Sequence, residues 1–181
     1  MTGAIAHRGP DAEGFFSDGR AALGHRRLSI VELSDAGAQP MQSGRLQIVY
    51  NGEVFNHASI RPDLEQAGHT FRGHCDTETI LHAYQLWGPD AISRFRGMFA
   101  FALWDPDRDT LFCVRDRLGI KPFYYYWDGR VFVFGSEIKA LLAHPAVSTR
   151  FAPEMLGEHL MFGFSSDDRT LFAGIRKLMP G

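Results

Sequence analysis

Between Met98 and Phe134 the chain is a series of short apolar runs cut by turn residues, and this stretch constrains the fold more than any other. Met98–Trp104 (MFAFALW), Thr110–Arg115, Pro122–Trp127 and Arg130–Phe134 read as four strands, the last two joined at Asp128-Gly129. A strand with one wet face would alternate apolar and polar residues, whereas these runs are nearly continuous, so both faces should be covered. Leu46–Tyr50 is a further strand that stops at Asn51-Gly52. Around these runs the period turns helical. Ile80, Leu81, Tyr84 and Trp87 make one stripe of a helix that follows Asp76 and is stopped by Gly88-Pro89. Ser59 can cap a helix through Ala67, with Pro62 in its first turn and Gly68 ending it. Ser136 begins a helix carrying Ile138, Leu141 and Leu142, and Pro153 opens a last one through about Met161. His7–Gly24 and the tail Leu171–Gly181 read as turn-rich. Strand runs with a few helices and no βαβ alternation predict an α+β fold of mostly antiparallel sheets, a two-layered sheet core between helices.

Composition then narrows the function. The 181 residues make one domain or a little more, and a net charge of −2 leaves no basic stripe to neutralise phosphates, so no nucleic-acid partner is expected. Met98–Trp104 is the longest apolar run, far short of the ~20 residues that span a bilayer, and no charged segment followed by an apolar one opens the chain. Cys75 and Cys113 cannot make a disulfide framework. The expectation is a cytoplasmic protein with no membrane partner.

Three positions could carry chemistry, each with a plain alternative. Asn51-Gly52 suits a tight hairpin turn, or a side-chain amide and a glycine N–H converging on one oxygen as an oxyanion hole. Asp76 suits a helix N-cap, or a carboxylate that receives a ligand ammonium. Arg27, set among apolar residues, suits a structural ion pair or a bidentate grip on a carboxylate. His69, His74, Cys75, Asp76 and His82 match no zinc spacing, so no metal site is expected. Nothing supplies Cys75 with a base at a recognisable spacing, and Cys113 reads as a small core residue.

In chain order, eight segments then form one pattern: HRGPD (His7–Asp11), GHRRLSIV (Gly24–Val31), QPM (Gln39–Met41), NGEVFN (Asn51–Asn56), DTE (Asp76–Glu78), GMFAFALWD (Gly97–Asp105), RDRLGIKPFYY (Arg115–Tyr125) and GSEIKALL (Gly135–Leu142). Together they resemble the glutaminase domain of glutamine-hydrolysing asparagine synthetases, a class-II glutamine amidotransferase. The resemblance implies an N-terminal-nucleophile hydrolase sandwich of two mostly antiparallel sheets between helix layers. It implies that an N-terminal cysteine attacks the side-chain amide of L-glutamine, with its own α-amine as base, and that the ammonia passes to a second domain. There aspartate is activated by ATP and Mg²⁺; no cofactor is expected in this chain. Carried onto this sequence, Arg27 would hold the α-carboxylate, and Asp76 with Gly52 or Glu53 the α-ammonium. Asn51 and the Gly52 N–H would form the oxyanion hole, and the backbone of Leu28, Ser29, Ile30 and Val31 would shape the pocket.

The pattern departs from the family at both ends. The family's Met-Cys-Gly and its first strand stand a few dozen residues before HRGPD, whereas here Thr2-Gly3 lies close to His7 and Met1–Ala6 reads as the end of a helix. No Ser-Gly-Gly-x-Asp-Ser pyrophosphate loop occurs in the chain. The expectation is therefore residues 1–150 as an amidotransferase domain without its first strand and nucleophile, and 151–181 as the start of the connection to a synthetase domain in cis, with a homodimer conceivable for the full length. A non-catalytic glutamine-binding or scaffold module, and an amidotransferase feeding a different acceptor, stay open as alternatives.

Overall fold

The computed structural model describes residues 1–29 and 35–181. Its centre is a four-stranded antiparallel sheet in the order β3 (Met41–Ser43), β4 (Leu46–Val54), β5 (Gly97–Asp105), β6 (Thr110–Arg115). The MFAFALW run explains why β5 is central. Phe99, Phe101 and Leu103 face one side and Ala100, Ala102 and Trp104 the other, and all are buried. Against the large side chains pack α1 (His57–Gln66) and α2 (Asp76–Trp87). Helix α2 is buried over nine successive residues, Asp76 to Tyr84, so the expected apolar stripe widens to its whole first two turns.

On the small-side-chain face lies a second layer. It holds the hairpin of β1 (Ala12–Ser17) and β2 (Ala22–Arg27), and a three-stranded sheet in the order β8 (Phe132–Gly135), β7 (Tyr124–Trp127), β9 (Ile175–Lys177). Leu23, Val49, Phe123 and Trp104 fill the space between the layers. Helix α3 (Ile138–Leu142) covers the outer face of the three-stranded sheet through Leu141, with Val133 and Ile175 beneath it. The order is helices, sheet, sheet, helix. Strands β2 and β8 each keep one edge without a ladder partner among the described residues.

Several local expectations change. Asn51-Gly52 is no hairpin turn: β4 runs straight through it, Asn51 opposite Ala100 and Gly52 opposite Phe99. Long-range pairing with β5 overrides a dipeptide that suits a turn. Helix α1 begins at His57, two residues before Ser59, so Pro62 falls inside it rather than in its first turn. Asn56 precedes it without capping it, because its side chain bonds the Arg94 carbonyl and the Arg96 N–H instead. The stretch from His7 to Gly24 contains β1 and half of β2, with Asp18 closing the hairpin by accepting from Arg20 and Ala21. The tail contributes β9, which pairs with β7. Thr2–Arg8 forms a 3-10 helix, and the last helix divides into a 3-10 turn at Pro153–Met155 and α4 (Leu156–Phe162).

Candidate functional site

A cavity of about 890 Å³ opens between the layers, and Ala100 and Ala102 line it. Small side chains on this face of β5 leave the room that Phe99, Phe101 and Leu103 fill on the other. Arg27, Leu28, Ser29, Asn51, Gly52, Glu53 and Asp76 all line this cavity, although they come from three separate parts of the chain. Ile30 and Val31 lie outside the described residues.

Strand β4 supplies the middle of the site through its free edge. Beyond Ile48, where the β3 ladder ends, the backbone on that edge bonds to side chains. The Tyr50 N–H donates to Gln39 Oε1 at 2.7 Å, and the Tyr50 carbonyl meets His25 Nε2 at 3.2 Å. Two residues on, the Val54 N–H donates to Asp76 Oδ2 at 2.8 Å. N–H groups of an antiparallel strand alternate in direction, so the Gly52 N–H lies on this same edge, between the two. Only glycine serves there. Its φ is +141°, and a Cβ would stand 2.1 Å from the Met98 carbonyl oxygen.

The side chain of Asn51 points the other way from Tyr50, into the cavity face shared by Val49. Its Nδ2 is buried and has no hydrogen-bond partner among the described residues. A buried donor left unpaired costs about 1–3 kcal/mol, so this orphan calls for a reason. An oxygen brought in by a ligand would satisfy it.

Asp76 is not an N-cap. It is the first residue of α2, Cys75 precedes it, and its carboxylate turns away from its own helix to β4. Oδ2 accepts from Val54 N–H and, at 2.5 Å, from the buried hydroxyl of Tyr50. Burial, with the Asp76 charge beside it, pushes the Tyr50 hydroxyl far above the ordinary tyrosine range, so Tyr50 acts as donor. Both bonds fall on one oxygen, and Oδ1 has no hydrogen-bond partner among the described residues.

Strand β2 brings the cation. Across the hairpin Arg26 pairs with Glu13, directly opposite in register. Strand alternation then turns Arg27 to the other face, with Leu23 and His25, toward the cavity. The HRGPD segment braces this strand. The Asp11 N–H donates to the Arg27 carbonyl at 3.0 Å, and Asp11 Oδ2 accepts from the Ser29 N–H at 2.7 Å. Gly9 lies so close that a Cβ would sit 2.3 Å from the Arg26 carbonyl carbon.

The two cysteines differ. Cys75 is buried in the helix-side core beside Asp76, while Cys113 sits on β6, where burial pushes its thiol up to about 12. His82 hydrogen-bonds Gln85 and makes a tilted ring contact with His69; among the described residues no three His, Cys, Asp or Glu side chains are grouped to hold a metal ion. Nor, among them, is any helix long and apolar enough to cross a membrane. Sequence reasoning missed His25, Gln39 and Tyr50. His25 could have been found by period 2 from Arg27, while the roles of Gln39 and Tyr50 depend on contacts made only by folding.

The family model for the glutamine amidotransferase domain matches residues 1–181. The chain belongs to that family. Among curated glutamine amidotransferase relatives, asparagine synthetase [glutamine-hydrolyzing] 3 of Bacillus subtilis is 41% identical over 99% of this chain and 30% of its own length. A putative asparagine synthetase [glutamine-hydrolyzing] 2 of Methanocaldococcus jannaschii is 42% identical over 79% of this chain and 31% of its own. The chain thus spans about 30% of the length of these relatives. Among solved structures, the glutamine phosphoribosylpyrophosphate amidotransferase from Bacillus subtilis superposes with a TM-score of 0.56 and 25% identity, over 66% of this chain and 28% of that one. The helix–sheet–sheet–helix order is that of an N-terminal-nucleophile amidotransferase.

Proposed function

We propose that this chain is the glutaminase half of an asparagine synthetase. In this reading it binds L-glutamine in the inter-sheet cavity and releases ammonia from the side-chain amide for ATP-dependent amidation of aspartate by a synthetase domain in cis. The observation that carries it is the chemistry of one cavity wall. Arg27 offers a cation, Asp76 a carboxylate oxygen and Asn51 an amide donor that have no hydrogen-bond partner among the described residues. Glutamine has the complement: an α-carboxylate for Arg27, an α-ammonium for Asp76 with Gly52 or Glu53, and a carboxamide oxygen for Asn51 Nδ2 and the Gly52 N–H. Leu28 and Ser29 shape the pocket around it. In this reading residues 1–150 are the amidotransferase unit, 151–181 lead toward the synthetase domain, and the protein works in the cytoplasm. ATP and Mg²⁺ belong to that other domain, and a homodimer is a matter for the full-length protein.

The nucleophile in this reading is a cysteine at the head of a segment lying between the free edges of β2 and β8. Its thiol attacks the carboxamide carbon while its α-amine takes the proton. The oxyanion rests on Asn51 and Gly52, ammonia leaves, and water cleaves the thioester to glutamate. Neither Cys75 nor Cys113 stands at the head of a chain, which favours a second reading for the 181 residues alone: glutamine is bound but not turned over.

The test joins a cysteine-headed strand in front of the chain and measures glutamate release. Asn51→Ala should lower kcat by ~10²-fold or more with little change in KM, because the amide meets the oxygen as charge develops. An unchanged kcat would overturn the oxyanion role. Turnover by the unextended chain that is lost on changing Thr2 would overturn the requirement for that cysteine.

A further inference from the structure

A second orphan stands in the same wall. His25 lies on β2 with Leu23 and Arg27, facing the cavity, and its Nε2 is 3.2 Å from the Tyr50 carbonyl oxygen. A carbonyl only accepts, so Nε2 carries the proton, and in a neutral ring Nδ1 is then a bare acceptor. Burial and the neighbouring Arg27 charge lower the pKa of His25, which keeps that ring neutral at neutral pH. Nδ1 is buried and has no hydrogen-bond partner among the described residues.

The backbone ties His25 to the residue that precedes the orphan donor. The carbonyl that fixes His25 belongs to Tyr50, the residue before Asn51, and the Asn51 side chain enters the cavity that His25 also lines. Asn51 Nδ2, a donor, and His25 Nδ1, an acceptor, are thus both buried without a hydrogen-bond partner among the described residues, while the further orphan donor at the cavity, Arg26 Nε, belongs to the guanidinium paired with Glu13. A primary carboxamide is the group that answers both, with one accepting oxygen and N–H donors on the same carbon. A carboxylate or an ester offers only acceptors, and would set a lone pair against Nδ1.

Resting on the reading that this cavity takes glutamine, we propose that His25 is a specificity-determining residue: its Nδ1 accepts an N–H of the substrate carboxamide, so the site prefers glutamine to glutamate. The orphan pair thus both recognises the substrate and rejects the product once ammonia has left.

Binding alone tests this, with no nucleophile needed. The chain is titrated calorimetrically with L-glutamine, L-glutamate and the γ-methyl ester of L-glutamate, which keeps the oxygen and lacks the N–H. Glutamate and the ester should each bind about tenfold or more weaker than glutamine, the cost of leaving a buried acceptor unpaired. His25→Leu should erase that preference, because it removes both the acceptor for the amide N–H and the lone pair set against the ester. His25→Gln, which can still donate to Tyr50 and accept from the ligand, should keep it. If His25→Leu keeps the preference, His25 does not determine it. Should that variant fail to fold, the unaltered chain decides, since an ester that binds as tightly as glutamine overturns the proposal. If Arg27→Ala and Asp76→Asn leave glutamine affinity unchanged, or glutamine does not bind, the glutamine reading itself falls and this one with it.

Discussion

Two buried aspartates sit on opposite flanks of the central sheet, and their hydrogen bonds separate what holds the fold from what is kept for a ligand. Asp116, just after β6, is 1% exposed and saturated. Oδ1 accepts from the N–H groups of Leu118 and Ile120, and Oδ2 from those of Phe99 and Lys121. Asp76 is almost as buried, at 7%, yet its bonds among the described residues both fall on Oδ2, and its other oxygen has no such partner beside the cavity. A carboxylate wrapped in backbone donors fixes a loop. One held by a single oxygen is held in place while keeping an acceptor to offer.

The largest expected effect belongs to the saturated one. Asp116→Asn puts an NH₂ among N–H donors and removes a charged acceptor, and bonds to charged groups contribute about 1.5–3 kcal/mol each. The loss of stability in urea denaturation should reach about 3 kcal/mol or more, with glutamine affinity of the folded fraction little changed. A stability loss under about 1 kcal/mol would break the contrast. The same contact has a pH signature. Burial pushes the Asp116 carboxyl up, but the N–H donors of Lys121, Ile120, Leu118 and Phe99 outweigh burial and leave it below its ordinary 3.8. A carboxyl depressed in the folded state stabilises fully above its unfolded value, so this contribution is lost only as pH falls below 3.8 toward the folded value. The acid limb of a stability-against-pH curve should flatten in Asp116→Asn.

Asp76→Asn should reverse the pattern. The Tyr50 hydroxyl and Val54 N–H can still find the amide oxygen, so stability changes modestly, while the charge that faces an ammonium is gone. Glutamine affinity should drop by roughly 1.5–3 kcal/mol, about 10- to 150-fold, read by calorimetry or as KM in a cysteine-headed form with kcat little changed. Equal losses of stability and affinity in the two aspartate variants would mean that neither carboxylate is reserved.

The same contrast explains what could be read from the sequence. The central strands were legible because their signal is local: β6 runs over Thr110–Arg115 as expected, and β5 exceeds its expected run by one residue at each end. The hairpin at Asp128-Gly129 was legible for the same reason, and so was the helix expected to follow Asp76, which begins at Asp76 itself. The strands β1, β2, β3 and β9 were not. Three of the residues in β2 are polar (His25, Arg26 and Arg27), β3 and β9 are three residues each, and their stability comes from partners far along the chain. At the site, residue types suggested Arg27, Asn51 and Asp76 but left two readings for each. For Asn51 and Asp76 tertiary pairing removed one: β5 claims Asn51-Gly52 for a strand, and Tyr50 with Val54 draws the Asp76 carboxylate off its own helix. Arg27 gained a facing, toward the cavity, from strand alternation.

The smallest expected effect sharpens the comparison most, because it asks whether Asp76 is positioned as well as present. Tyr50 reaches Asp76 through one hydroxyl, with its ring packed in the helix-side core. Tyr50→Phe keeps the ring and removes the donor, leaving the Val54 N–H as the remaining hydrogen bond to Oδ2 among the described residues. Stability should fall by about 0.5–1.5 kcal/mol, the usual net contribution of such a bond. If Tyr50 acts through Asp76, glutamine affinity should also weaken by about the same free energy, two- to tenfold, because a carboxylate free to turn no longer offers Oδ1 to the cavity in one orientation. The decisive reading is the cycle: in an Asp76→Asn background, Tyr50→Phe should still lower stability yet change glutamine affinity no further. Additive losses in affinity would show that Tyr50 acts on the ligand by some other route, and no loss of affinity in the single variant would leave Asp76 held well enough by Val54 alone.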